Sequence, residues 1–211
     1  MLDPAWRIWT YSVPPPCPGG WNVPTSYSLT DRPGYLSFYL GRWTTWQDEC
    51  IWSSYWYYPS MHLYREIEGT TWTLETHVAY HAPSANAAMH YTYLYFGDPD
   101  AFRPTGIHQN SIMIIADVWD QYHAVYLAEN GIWTLLANLP INFGHDAFYY
   151  RLIRSGDEFT LRWSRDDTAY GSAGTWTLSP NLASMPQAFG ISGQAFYSDP
   201  SIVYGNTTMS R

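Results

Sequence analysis

Apolar and polar positions alternate along this chain with a period of two, the spacing of a β-strand with one face buried. Trp72, Leu74, Thr76, Val78 and Tyr80 alternate with Thr73, Glu75, His77, Ala79 and His81, which gives one mainly apolar face and one polar face. Tyr91, Tyr93 and Tyr95 alternate with Thr92, Leu94 and Phe96, and the same period runs through Phe148–Arg154 and Phe159–Trp163. Turn chemistry separates the runs. Ser155-Gly156-Asp157 and Glu129-Asn130-Gly131 predict tight hairpins, and Arg32-Pro33-Gly34-Tyr35 has the Pro-Gly centre of a type II turn. Between Ile107 and Asn130 there is no Pro or Gly, and Val118, Tyr122 and Val125 have helical spacing. β-Branched and aromatic residues dominate there, so two strands broken near Asp120-Gln121 are expected. About a dozen short strands divided by turns predict an all-β sandwich or barrel, read as one domain over 1–211.

Composition narrows the function. The chain has 211 residues, 46% hydrophobic, which excludes disorder. Charged residues are only 13%, against about 25% in an average globular domain. Aromatics take their place: 12 Trp, 19 Tyr and 8 Phe. All ten basic residues are arginine, and the net charge is −8. That balance argues against nucleic acid and anionic membranes as partners. The longest aliphatic run, Ile112–Ala116, is far short of the ~18 residues a membrane span needs. The first residues carry neither a basic segment nor an apolar segment of the secretory type. Cys17 and Cys50 read either as free thiols or as one disulfide, and a disulfide would point outside the cytoplasm.

Leu2-Asp3-Pro4-Ala5-Trp6, followed by Tyr27-Ser28-Leu29-Thr30-Asp31-Arg32-Pro33-Gly34-Tyr35-Leu36, resembles the opening of the concanavalin A-like domain at the C-terminus of β-xylosidases and arabinofuranosidases. Thr71–Tyr80 resembles that domain's long central strand, and Phe148–Thr160 its Arg-x-Gly hairpin. Phe189–Gly193 followed by Ser201–Tyr204 resembles its ending, a glycine-rich strand and a final strand beside the first. The resemblance implies a concanavalin A-like jelly-roll sandwich of two antiparallel sheets, in a family largely concerned with carbohydrate recognition. The aromatic insert Trp43–Tyr58 and the long loop Gly97–Asn110 depart from the family pattern, and the catalytic propeller that precedes the domain in those enzymes is not in these residues.

The insert holds Trp43, Trp46, Trp52 and Trp56 with three tyrosines. Such rings have a flat apolar face and a polar edge, matching the C–H faces and hydroxyl rims of pyranoses. A strand buries only alternate residues, so some of these rings are expected at a binding surface, the others in a core. Glu75 and His77 share a strand face with His81; the face reads either as the floor of a groove or as an ordinary solvent face. Gln109 and Asp117 complete the expected set of hydrogen-bonding groups for sugar hydroxyls. His77 and His81 would lie about 13 Å apart on one strand, too far to share a metal. No cofactor is therefore expected. The resemblance to jelly-roll domains that hold a structural calcium would make Asp3, Asp98, Asp100 and Asp199 its oxygen donors, but Asp98-Pro99-Asp100 is also a plain turn signal, and that reading is preferred. The expected function is a carbohydrate-binding domain for a polysaccharide or oligosaccharide, outside the cell or at its surface. Two rivals stand beside it. One is a glycoside hydrolase or polysaccharide lyase using Glu75 or His77, although the carboxylate pattern of jelly-roll β-glucanases is missing. The other is a self-assembling structural subunit whose exposed aromatics bury against further copies.

Overall fold

The computed structural model describes residues 5–10, 21–23, 26–28, 30, 35–39, 42–43, 61–81, 89–98, 110–117, 122–130, 132–139, 147–185, 187–196 and 206–210. In chain order the strands begin with β1 (Trp6–Thr10), β2 (Trp21–Val23), β3 (Ser26–Ser28), β4 (Tyr35–Tyr39) and β5 (Arg42–Trp43). The long strands follow: β6 (Met61–Ile67), β7 (Thr71–His81), β8 (Met89–Gly97), β9 (Ser111–Asp117), β10 (Tyr122–Glu129) and β11 (Ile132–Asn138). The last group is β12 (Ala147–Ser155), β13 (Glu158–Ser164), β14 (Gly171–Thr177), the helix α1 (Pro180–Ser184), β15 (Gln187–Phe196) and β16 (Asn206–Ser210).

They form two sheets. The larger, of nine strands, runs β1-β6-β15-β8-β9-β10-β11, with β2 and β5 joined to it through β15. The smaller, of seven, runs β14-β13-β12-β7-β16-β4-β3. Among the described residues every ladder is antiparallel except the short β5–β15 pair. This is the jelly-roll sandwich that the sequence implies, with β7 as the central strand of the smaller sheet. No described helix is long and apolar enough to cross a membrane.

The alternation becomes packing. Val78 of β7, Phe148, Tyr150 and Leu152 of β12 and Phe159 and Leu161 of β13 face Leu94, Phe96, Ile112, Ile114 and Phe189 of the larger sheet in one buried cluster. Each of these side chains contributes on the order of 1.5–3 kcal/mol by leaving water. Phe96 and Phe159 stack across the interface with centroids 5.2 Å apart. Arg154, only 2% exposed, follows the same inward period. Its guanidinium donates to the carbonyl oxygens of Gly156 and Ala183, so it ties the β12–β13 turn to α1.

The hairpins follow their turn chemistry. Ser155 pairs with Glu158 around a two-residue loop, and Gly156 takes φ 62 at its first position, as a type II′ turn requires. Asn130 takes φ 51 between Glu129 and Ile132. The segment with helical spacing is two strands, β9 and β10, and Tyr122 pairs with Asp117 where they turn. The final strand expected at Ser201–Tyr204 lies outside the described residues. The last described strand, β16, lies between β7 and β4 in the smaller sheet. Its Thr207, Thr208 and Met209 supply the partners β7 needs between Val78 and Tyr80. The Arg32-Pro33-Gly34 turn and both cysteines lie outside the described residues.

Candidate functional site

β6 and β7 are consecutive in sequence but belong to different sheets. The chain crosses from one sheet to the other at Glu68–Thr70, and a cleft opens in the angle between the two strands. β16 accompanies β7 only from His77 onward, so no described strand flanks Thr71–Thr76 on that side. The cleft has a volume of about 680 Å³. Its apolar wall is Trp6, Ile67, Trp72, Leu74 and Phe189; its polar groups are Arg65, Glu66, Glu68, Thr73, Glu75 and Thr76.

Register explains the wall. Arg65 pairs with Trp6 on one side and with Phe189 on the other. It shares the core-facing side of β6 with Leu63 and Ile67, yet it is exposed, because the sheets part at this edge. Trp6 meets Phe189 edge-on, centroids 6.5 Å apart, and Trp72 leans on Phe96 at 4.9 Å. These rings are anchored in the core by one edge and border the cleft.

Electrostatics sorts the polar groups. Glu66 is drawn toward Arg7 at 3.5 Å, on the outer side of the larger sheet. Glu75 accepts a hydrogen bond from Arg151 Nε, its register partner on β12. The Arg151 guanidinium also lies over the Tyr170 ring, 4.1 Å from its centroid, and Tyr170 donates to Asp167. Partial burial, and then the Asp167 bond, push the Tyr170 phenol up to about 12. Both ion pairs are half exposed, where such contacts are worth little in stability; their effect is to orient the carboxylates. Among the described residues Arg65 has no ion pair.

Of the sequence-predicted site residues, Glu75 reaches the cleft. His77 shares its strand face but is 8% exposed, with its ring stacked on Tyr149 at 4.2 Å and 2° between planes. Asp117 and Trp43 belong to the larger sheet. Asp117 pairs with Tyr91 and Tyr122, and Trp43 with Trp21 and Phe196. Trp46, Trp52, Trp56 and Gln109 lie outside the described residues, as do all the calcium donors except Asp98. Among the described residues no three His, Cys, Asp or Glu side chains gather as a metal site.

Sequence reasoning missed Trp6, Arg65 and Trp72 as a group. It also missed a second buried cluster, Tyr95, Met113, Ile115 and Ala128, on the face of the larger sheet that points away from the sandwich core. Burial there, and then the neighbouring Tyr64, push the Tyr95 phenol well above its ordinary value. The unbroken apolar run Ile112–Ala116 is the signal for it: a strand buried on both faces loses its alternation.

No protein-family model matches the sequence, and none of the curated proteins does. Solved structures match the fold. A GH43 protein, BlXynB from Bacillus licheniformis, matches with TM-score 0.53 and 12% identity over 88% of this chain and 34% of that one. This chain therefore spans about a third of that protein's length. The CBM2 module of the evolved Dit of Lactobacillus casei BL23 phage J-1 matches with TM-score 0.59 and 12% identity, over 100% of this chain and 91% of that one. The exoplasmic/lumenal domain of VIP36, in a form with Ca2+ and Man3GlcNAc bound, matches with TM-score 0.55 and 15% identity, over 98% and 82%. At these identities the likeness is one of fold, the concanavalin A-like jelly-roll sandwich.

Proposed function

We propose that this protein is a carbohydrate-binding domain whose ligand is a polysaccharide or oligosaccharide met outside the cell. The observation that carries the reading is the cleft between β6 and β7, where indole and phenyl rings border a rim of arginine, glutamate and threonine. Sugar sites want this combination: apolar ring faces for the C–H side of a pyranose and convergent polar groups for its hydroxyls. A carbohydrate-binding module and a mannoside-bound domain among the proteins of similar fold add support; fold alone fixes no function.

Binding here is passive. Trp6 and Trp72 offer apolar surface, Glu68 and Thr73 meet hydroxyls, and Glu75 holds its carboxylate at the rim through Arg151. A few aromatic anchors dominate such interfaces, and a Kd near 1 mM already corresponds to about −4.1 kcal/mol. The Trp43–Tyr58 insert, with Trp46, Trp52 and Trp56, is assigned on composition as a further aromatic platform, and Gln109 and Asp117 as hydrogen-bonding groups. Affinity electrophoresis and pull-down against a panel of plant and microbial polysaccharides test the function. Retention of the wild type, weakened tenfold or more by Trp6→Ala with the fold intact by circular dichroism, is the expected result. A protein retained by no polysaccharide in the panel is not a carbohydrate-binding domain.

A further inference from the structure

On the side of the sandwich away from the cleft the two sheets end at β11 and β14, which come close to one another there. An open end strand is a template for a further strand, and folded proteins protect such edges with charge, shortness or bulges. The other ends are protected. β1 carries the Arg7–Glu66 ion pair, β3 is three residues long, and β14 is broken by a bulge and by Gly171 and Gly174. β11 has neither charge nor proline, and its bulge at Leu136 leaves Ile132–Leu135 regular. Among the described residues no strand pairs with β11 on the side away from β10. Ile132 is 70% exposed and Leu135 47%, the most exposed large hydrophobic residues described.

The strand is symmetric in character about Thr134: apolar residues at 132 and 133 are mirrored by apolar residues at 136 and 135. Two copies paired antiparallel about a twofold axis at Thr134 therefore match like with like. Leu135 comes opposite Trp133 of the second copy, Ile132 comes opposite its Leu136, and the two threonines meet at the axis. The backbone agrees. The β10–β11 hairpin closes around two residues on Glu129 and Ile132, a hydrogen-bonded pair from which bonding alternates along the strand. Thr134 thus points its N–H and C=O at Leu127 on β10, and Leu135 points its own outward, where a neighbour centred on Thr134 meets them. We propose that β11 is an interface between two copies of this chain, joined edge to edge so that their larger sheets run on into one another. Each copy carries −8, yet β11 and β14 hold no charged residue, so the edge strands bring no like charges together. Two strands about 24 Å long and about 10 Å apart give a side of roughly 24 by 20 Å. Over both copies about 1,000 Å² is covered, the threshold of a specific interface, so the dimer is expected to dissociate on dilution. β6 lies near the opposite end of the larger sheet, so both clefts stay open, and the interface does not depend on what they bind.

Sedimentation equilibrium of the whole chain, from micromolar to millimolar protein, tests the pairing. The mass is expected to rise from 24.3 kDa toward twice that value. Ile132→Lys and Leu135→Lys are each expected to weaken association tenfold or more, with the melting temperature of the dilute protein unchanged. Ile8→Lys, an exposed site on β1 at the far end of the same sheet, is expected to leave association intact. Cross-linking reads the axis. At the centre of the pair the two Cα atoms are about 4.5 Å apart, within reach of a disulfide. Thr134→Cys is therefore expected to oxidise to a covalent dimer beyond any that the wild type forms. Asn138→Cys sets its two thiols about 27 Å apart in the same register and is expected to add none. A mass of 24.3 kDa at every concentration would overturn the proposal. Association that Ile132→Lys and Leu135→Lys leave unchanged would overturn it too, as would cross-linking by Asn138→Cys as ready as that by Thr134→Cys.

Discussion

Gly190 of β15 lies between Tyr64 and Tyr95, its register partners on β6 and β8. A Cβ at position 190 would overlap the Tyr95 ring. The glycine is required by space, since the ring crosses the backbone inside a buried cluster. Gly190→Ala is expected to destabilise the protein by about 1–3 kcal/mol, the usual cost of overpacking. Equilibrium urea unfolding measures it, and a second substitution, Tyr95→Ala, should make the alanine at 190 nearly neutral. An additive double mutant would show that the two positions do not clash. Thr76 predicts the opposite sign. Its enclosed hydroxyl has no partner among the described residues, and leaving such a group buried costs about 1–3 kcal/mol. Thr76→Val should therefore raise the melting temperature of the ligand-free protein; a fall would mean that the hydroxyl is satisfied in solution. At this scale the sequence was half legible. Period two assigned Trp72, Leu74 and Val78 to the core face and Glu75 to the opposite one, but it says nothing of what covers a face. His77 thus read as an open groove residue, whereas Tyr149 stacks on it. Arg65 carried a signal that the alternation contains: in Leu63-Tyr64-Arg65-Glu66-Ile67 an arginine occupies a position that belongs to the apolar side.

Strands and turns were the most legible part of the chain, because local chemistry decides them. Asn130 and Gly156 take the positive φ values that their hairpins need, and β9 ends at Asp117 and β10 begins at Tyr122, on either side of the expected break. What could not be read was which strands meet. β6 and β7 are sequence neighbours in different sheets, so the cleft between them is a product of long-range pairing and no local pattern announces it. One connection makes a titration prediction. After β13, Asp166 accepts from the backbone N–H groups of Thr168 and Ala169 and from the Ser164 hydroxyl, which together hold its carboxyl well below the usual range. A carboxyl depressed in the folded state stabilises the protein at pH values above its unfolded value of 3.8, and that contribution is lost as pH falls through the folded value. Asp166→Asn should accordingly be less stable than wild type by a constant margin from pH 5 to 7. The margin should shrink below about pH 4. Urea midpoints at several pH values check this, and a margin that grows toward low pH would contradict the hydrogen-bonded turn.

Across the described residues the two sheets share one core, which contains the Phe96–Phe159 stack, and part at the edge where Trp6, Arg65 and Trp72 line the cleft. The larger sheet is buried on its outer side as well, at Tyr95, Met113 and Ile115, so apolar surface in this chain serves more than the space between the sheets. The aromatic insert raises the same question, since its rings belong either to a core or to a binding surface. On the carbohydrate-binding reading they are platforms, and Trp46→Ala, Trp52→Ala and Trp56→Ala should each weaken polysaccharide retention with little change in melting temperature. A ring buried in a core would instead cost about 3–5 kcal/mol on truncation, and binding would fall only through unfolding. Intrinsic fluorescence gives an independent measure, because a sugar stacked on an indole changes the emission of that tryptophan. The saccharide-induced change should therefore diminish in whichever single variant removes a platform ring. Three variants that unfold the protein would place the insert in a core and leave binding to the cleft alone. Three that keep both stability and binding but lower the oligomeric mass by light scattering would make the insert a contact between copies of the chain.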